Sequence, residues 1–393
     1  MSKFTFSLPA LFLITFLQVV SYVSGQTSNI KIAQNPYLQA LTDSTVSILW
    51  TTDKPAIAWV ELAPDDESHF YQQERPQFHD SRYGFNRIGT LHQVNLKKLT
   101  PGTKYRYRVY AREVLAHEGA YVQYGRTVAS NVFNKQPLAF RTASRKDTLR
   151  FLVVNDIHGD NELLRNLAGE PYLSKVDFGI LNGDMVNQLL SEKQMFDDFM
   201  HTTIDLFGGS IPFYYSRGNH ETRGPFAFSY PEFFPTSNGQ LYYTFRYGDA
   251  FFIVLDSGED KPDSDIEYSG LADMDNYRTE QAEWLKGVVR SKEFNESTYR
   301  IVISHMPPFG DWHGSLDLAK KFLPILNNAK IDIMLCGHLH RHVFRKADKE
   351  CHFPILVNSN RNVVKATICK KEAALLVVDR QGKTIESITI NPK

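Results

Sequence analysis

The sequence predicts an all-β sandwich followed by a layered α/β domain, and three observations predict it. Strand-like alternation fills the first third of the chain. Apolar runs separated by helical periodicity fill the rest. A short polar segment, residues 142–148, divides the two. A chain of 393 residues suits two domains at roughly 100–200 residues each. Hydrophobic residues make up 42% and charged residues 22%, the usage of a folded protein rather than a disordered one.

The N-terminus reads as an export signal. Lys3 precedes an apolar run from Phe4 to Val20, interrupted by Ser7, Pro9, Thr15 and Gln18, and small residues lead to Gln26. A basic start, a short apolar stretch and small residues suit cleavage after Gly25. An uncleaved anchor is the alternative, but a spanning helix needs about 20 apolar residues and this run contains a proline. The expected division is a signal at residues 1–25, a β-sandwich at 26–143 and an α/β domain at 149–393. The destination is periplasmic or extracellular, with no membrane span after cleavage.

In the first domain, Val46, Ile48 and Trp50 share one face at period two. The turn Thr100-Pro101-Gly102 leads into a strand that aligns Tyr105, Tyr107 and Val109. An early buried Trp and a Tyr just after a turn are features of β-sandwiches. This half resembles a fibronectin type III-like domain, a stabilising or orienting module. Residues 64–87 read as a long polar and aromatic insertion.

In the second domain, apolar runs recur at Phe151–Val154, Phe178–Leu181, Pro212–Tyr215, Phe251–Leu255, Ile301–Ile303 and Ile331–Leu335. Helical patterns lie at Glu192–Phe207 and Thr279–Val289, and strand-like runs dominate after Cys351. Strands alternating with helices imply βαβ units with parallel pairing. The acidic, Gly- and Tyr-rich stretch 256–277 reads as a loop near a site mouth.

Charge and cysteine usage narrow the function. Lys and Arg total 44 against 44 Asp and Glu, so no general field favours nucleic acid or an anionic membrane. Cys336, Cys351 and Cys369 are too few for a disulfide scaffold. Cys351 and Cys369 are a candidate pair, and Cys336 reads as a buried thiol.

Several apolar runs end on metal-binding side chains: Asn155-Asp156-Ile157-His158, Gly183-Asp184, Gly218-Asn219-His220-Glu221, Ser304-His305 and Gly337-His338-Leu339-His340. Ligand sites in open α/β sheets form beyond the carboxyl ends of strands, so these segments can converge. Nine of the 13 histidines follow residue 150, and five of them sit in these segments. Carboxylate, imidazole and amide oxygen without thiolate suit Zn, Mn or Fe. The donors exceed what one ion needs and suit two, which can share a hydroxide placed for in-line attack on phosphorus. Taken singly, each histidine is more often a surface or satisfied core residue, and Asp184 or Asn219 a turn residue.

Five motifs in this order resemble the calcineurin-like metallophosphoesterase superfamily. With the sandwich in front, the whole chain is similar to a purple acid phosphatase-like exported enzyme. The resemblance implies that Asp156, His158 and His340 hold the first metal, that Asp184 bridges, and that Asn219, His305 and His338 hold the second. It implies that His220 lies beside the substrate oxygens as a catalytic residue, and that His313 contacts substrate from the loop Phe309–His313. Arg217, Glu221 and Arg223 flank the third motif as candidates for orienting ligands. The chain departs from the purple enzymes in having His158 where they carry Gly and Asn187 where they carry Tyr. A tyrosinate bound to ferric iron gives the purple colour, so a colourless protein is expected. The expected activity is hydrolysis of phosphate monoesters by a metal-bound hydroxide; the alternatives are a phosphodiesterase or nucleotidase on the same site, or a non-catalytic surface binding or adhesion protein.

Overall fold

The computed structural model describes Met1, residues 29–145 and residues 148–393. The signal expected over residues 1–25 lies, apart from Met1, outside them. Among the described residues no helix is long and apolar enough to cross a membrane.

Two long strands organise the first, strand-rich domain. Val46–Pro64 pairs with Ile32–Gln39 and Gly89–Leu96 along its first half, and with Lys104–Glu118 and Gln77–His79 along its second. The register breaks between Thr51 and Ala56, where the strand changes partners. Alternation then sorts the side chains: Ile48, Trp50, Ala58 and Val60 are buried. Tyr107 and Val109 join them in the same core, with Tyr105 half-buried at its edge. Thr100 N–H donates to Tyr105 Oη at 3.0 Å, tying the turn to the strand that follows it. The 64–87 insertion is more ordered than expected. Its Gln77–His79 adds a strand beside Trp59–Glu61, flanked by bonds from Leu62 N–H to Pro76 O at 3.1 Å and from Asp80 N–H to Ala58 O at 2.9 Å.

The second domain stacks two six-stranded sheets between helices. One sheet runs, in spatial order, Phe213–Ser216, Phe178–Asn182, Thr148–Val154, Asn362–Cys369, Ala373–Asp379 and Thr384–Ile390. The other runs Tyr243–Tyr247, Ala250–Val254, Tyr299–Ile303, Ile333–Cys336, Ile355–Val357 and Val343–Arg345. In the first sheet the two pairs linking Phe213–Ser216, Phe178–Asn182 and Thr148–Val154 are parallel and the other three antiparallel; in the second the three inner pairs are parallel. Period two explains the continuous apolar runs: both faces of these strands are covered. Phe151 and Val153 face the opposite sheet, while Leu152 and Val154 face helices Asn161–Ala168 and Glu192–Phe207. Phe178 meets Phe252 at 5.5 Å between ring centroids, and Tyr214 stacks on Phe245 at 3.7 Å. Each such buried ring stabilises the domain by about 1.5–3 kcal/mol.

On the other side, Val302 and Met334 pack against helices Met274–Val288 and His313–Leu326. The first of these starts five residues earlier than its apolar periodicity suggests. Asp263 takes the N–H groups of Met274 and Asp275 at 2.9 and 3.1 Å, a cap supplied from outside the helix. The three cysteines are free, so Cys351 and Cys369 do not pair. Cys351 is instead buried with its thiol donating to the Phe353 carbonyl at 3.2 Å.

The halves are joined by tyrosine hydroxyls. Tyr107 donates to Gly209 O at 2.7 Å, Tyr214 to Leu41 O at 2.7 Å and Tyr37 to Phe233 O at 3.0 Å. All three rings are buried.

Candidate metal centre

Five parallel strands deliver their carboxyl ends to one edge, and the motif residues follow directly. Asp156 and His158 follow Thr148–Val154; Asp184 follows Phe178–Asn182; Asn219 and His220 follow Phe213–Ser216; His305 follows Tyr299–Ile303; His338 and His340 follow Ile333–Cys336. Two groups of ligating atoms result, each within 4.8 Å: Asp156, His158, Asp184 and His340, and Asp184, His305 and His338. Asp184 belongs to both.

The distances show how tightly the donors are gathered. His305 Nε2 lies 3.1 Å from Asp184 Oδ2 and 3.9 Å from Asp156 Oδ1. His340 Nε2 lies 3.1 Å from Asp156 Oδ1 and 3.2 Å from His158 Nε2. Asn219 Oδ1 lies 3.1 Å from His338 Nδ1. His220 stands at the rim, its Nε2 3.9 Å from Asp184 Oδ2. Asp156, Asp184 and His305 form a buried floor, whereas His340 is open to solvent.

Surrounding hydrogen bonds aim these groups. The Asp156 carboxylate uses Oδ2 to accept from Asn155 Nδ2 at 2.6 Å and from His338 N–H at 2.9 Å. Its other oxygen, Oδ1, is buried and has no hydrogen-bond partner; the same holds for His305 Nε2, which faces Asp184 without the alignment a hydrogen bond needs. His305 Nδ1–H donates to Asn182 O at 2.8 Å, and His220 Nδ1–H donates to Asn187 O at 2.7 Å. In both rings this turns Nε2 towards the centre, where loss of the Nε2 proton would give the lone pair a metal ligand requires. Asn187 also donates to His158 O at 3.3 Å, so the residue standing where a tyrosine was absent serves as a brace.

The local field favours a cation. Burial opposes a charge on His305, yet the Asp184 and Asp156 carboxylates raise its pKa to about 10. Burial likewise opposes charge on Asp184, and the nearby His305 charge more than reverses this, holding its pKa well below the usual range. His338, further from the carboxylates, is lowered to about 4 by burial and then by the charge of His305.

Backbone geometry reinforces the picture. Asp156, His158, Asp184, His338 and His340 all adopt positive φ, between 50° and 69°. Such left-handed residues cost about 1–3 kcal/mol each and cluster at functional sites. Gly183 has φ +81°, and a Cβ there would meet His305 Nδ1 at 2.5 Å and the Gly218 backbone at 2.7 Å. Only glycine lets these strand ends approach so closely.

Two supports were under-read in the sequence. Glu221 is fully buried, and its carboxylate accepts from the N–H groups of Asp184 (2.9 Å), Met185 (2.7 Å) and Gly218 (2.9 Å) and from Tyr215 Oη (2.8 Å). It thereby locks the Asp184 and Asn219 loops together. Burial and then the Asp184 charge raise its pKa. Asn358 donates to Asn155 Oδ1 at 2.8 Å and fixes the residue that orients Asp156. It follows the apolar run Ile355–Val357, the same strand-end signal that marks the ligands.

His313 does not join the gathered donors. It opens helix His313–Leu326, and its Nε2 lies 2.8 and 3.1 Å from the two Asp275 carboxylate oxygens. Trp312 beside it does reach the centre: its ring lies 6.5 Å from the His338 ring and is 47% exposed. Arg217 and Arg223 are spoken for, pairing with Asp256 at 2.8 Å and Glu259 at 3.0 Å.

Fold and site together bring a set of carboxylate, imidazole and amide donors to the strand ends of a layered α/β domain that follows a strand-rich one. Residues 149–342 match the calcineurin-like phosphoesterase family, and residues 34–137 match the purple acid phosphatase N-terminal domain. The chain thus joins a calcineurin-like phosphoesterase domain to a purple acid phosphatase N-terminal domain. Purple acid phosphatase 21 of Arabidopsis thaliana is 22% identical over 278 residues, 66% of this chain and 54% of that relative. The chain thus spans about half the length of this curated relative. A purple acid phosphatase from yellow lupin (Lupinus luteus) seeds superimposes with a TM-score of 0.65 at 16% identity, covering 91% of this chain and 74% of that one. At such identity the likeness concerns the fold.

Proposed function

We propose that this chain is an exported phosphoesterase that hydrolyses phosphate monoesters at a dinuclear metal centre built around Asp184. The observation that carries the reading is the sharing of Asp184 between two groups of ligating atoms. A carboxylate between two cations offsets their repulsion, and a single structural ion would not need it. The unpartnered Asp156 Oδ1 and His305 Nε2 fit such ions, as does a donor set of nitrogen and oxygen without thiolate. Asp156, His158 and His340 would hold one ion, Asn219, His305 and His338 the other, and Asp184 both. Bound there, Fe, Zn or Mn supplies Lewis-acid charge at the phosphate oxygens and lowers the pKa of a water nucleophile.

The remaining steps belong to the chain's own residues. Asn187 fixes the His220 ring so that Nε2 faces the centre. As the imidazolium, with Nδ1–H held by Asn187 O, His220 would donate its Nε2–H to a phosphate oxygen as negative charge develops, or pass that proton to the leaving oxygen. His313 acts through Asp275, holding the loop that carries Trp312 over the site. Export follows from the basic and apolar segment before Gln26.

The deciding experiment measures hydrolysis of a chromogenic phosphomonoester and its matching diester after stripping and reloading with Mn²⁺, Zn²⁺ or Fe. Metal-dependent turnover that favours the monoester and is lost in Asp184→Asn supports the reading. Metal content should fall from near two ions per chain to below one in that variant. Turnover unaffected by Asp184→Asn would sink it.

A further inference from the structure

A cleft of about 580 Å³ is lined by near sequence neighbours of the rim histidine and of the residue that holds it, and the phosphate chemistry above makes no use of it. Gln188, which lines it, follows the Asn187 whose carbonyl holds the His220 ring. Thr222, which also lines it, stands two residues beyond His220, and its hydroxyl donates to the carbonyl of the donor residue Asn219 at 2.8 Å. The cleft therefore adjoins the side of the centre where a leaving oxygen would receive its proton. Its volume falls within the range of small-molecule sites, roughly 300–1,000 Å³.

The walls say what kind of group fits. Phe228, Leu271 and Met274 make them apolar. Phe228 and Leu271 are large side chains left 79% and 77% exposed. The charges on the lining cancel, because Arg217 and Arg223 stand against Glu259 and Glu267. Each arginine is also already engaged: Arg217 with Asp256 at 2.8 Å, and Arg223 with Glu259 at 3.0 Å and Glu267 at 3.6 Å. A leaving group carrying further phosphates would find no uncommitted cation there and would lie against Glu267.

We propose that this cleft receives the leaving group of the phosphate ester, and that this group is an uncharged alcohol with an apolar aryl or long alkyl body. The proposal rests on the phosphoesterase reading and names its substrate class. Polyphosphorylated polyols and nucleoside polyphosphates are disfavoured by the same walls.

The test uses the metal-loaded full chain with Phe228→Ser and Leu271→Ser, two exposed positions whose replacement leaves the core intact. Binding of naphthyl phosphonate and methyl phosphonate is measured by calorimetry. kcat/KM is measured on naphthyl phosphate, ethyl phosphate and a hexakisphosphorylated polyol. The expected result is naphthyl phosphonate binding about tenfold tighter than methyl phosphonate, a preference largely lost in both variants, as burial of one ring predicts. In kcat/KM the variants should lose about tenfold on the naphthyl ester and less than about twofold on ethyl phosphate. Equal binding of the two phosphonates, an undiminished preference in both variants, or a preference for the polyphosphorylated polyol overturns the cleft's role. Discrimination between the phosphonates without turnover on any ester overturns the phosphoesterase reading and leaves the cleft's ligand preference standing.

Discussion

Glu221 and His220 are neighbours with opposite tasks. Glu221 is buried and holds backbone; His220 is at the rim and, in the proposed function, faces the substrate. Replacing Glu221 by Gln presents an amide N–H₂ to one pair of the donors the carboxylate now accepts, leaving buried N–H groups unmatched. Supports of this kind typically govern metal affinity by 10–100-fold. The Glu221→Gln protein should therefore bind Zn²⁺ more weakly by roughly that factor in chelator competition, and unchanged affinity would refute the bracing role. His220→Ala removes no ligand in the proposed set. It should keep its metals by elemental analysis and slow turnover by about 10²–10⁴-fold, the range for a positioned acid. Loss of metal in that variant would instead make His220 a ligand.

At the scale of the element, the first domain carries its own pH sensitivity, remote from the metal centre. His92 on strand Gly89–Leu96 is fully buried, its Nε2 2.8 Å from Thr52 Oγ1 and its Nδ1 without a partner. Burial, and secondarily the Arg87 charge, lowers its pKa from 6.5 to about 4. The unfolded chain therefore binds a proton that the folded chain refuses between those two values. Stability is full above pH 6.5, falls as the pH drops towards 4, and levels off below. From about pH 7 to about pH 4.5 the loss should be roughly 2 kcal/mol. Urea unfolding of the wild type against His92→Gln isolates it: the variant should lose that much less over the same interval. Parallel curves for the two proteins would exclude His92 as the source. The strands of the second domain have a different vulnerability. They are apolar on both faces, so their ends, rather than their lengths, are free to carry polar chemistry.

For the whole molecule, the question is whether the two halves unfold together. Tyr107, Tyr214 and Tyr37 reach across with buried hydroxyls onto backbone carbonyls of the other half. Tyr107→Phe should cost about 1–3 kcal/mol, because Gly209 O is left unmatched as well as the bond lost. The Phe substitution at all three positions should split a single calorimetric transition into two. A single transition at an unchanged midpoint would show that apolar contact alone couples the halves.

The sequence by itself determined the order of the domains, the strands and the donor residues. Those features are local: alternation places Trp50 and Val153 inside, and an apolar run that stops at Asp184 or His305 marks a strand end. What only the tertiary structure decided is which groups meet across the chain. The left-handed turns at Asp156, Asp184 and His338 leave no mark in residue type, because none of them is glycine. The Glu221 cradle and the Asn358–Asn155 bond depend on strand ends 37 and 203 residues apart arriving side by side. His313 shows the same limit from the other direction. Its loop reaches the centre through Trp312, while Asp275, 38 residues away, takes its ring. Periodicity records which face of a strand is buried, but hydrogen bonds between distant strand ends are set by sheet order, and sheet order is a property of the folded chain.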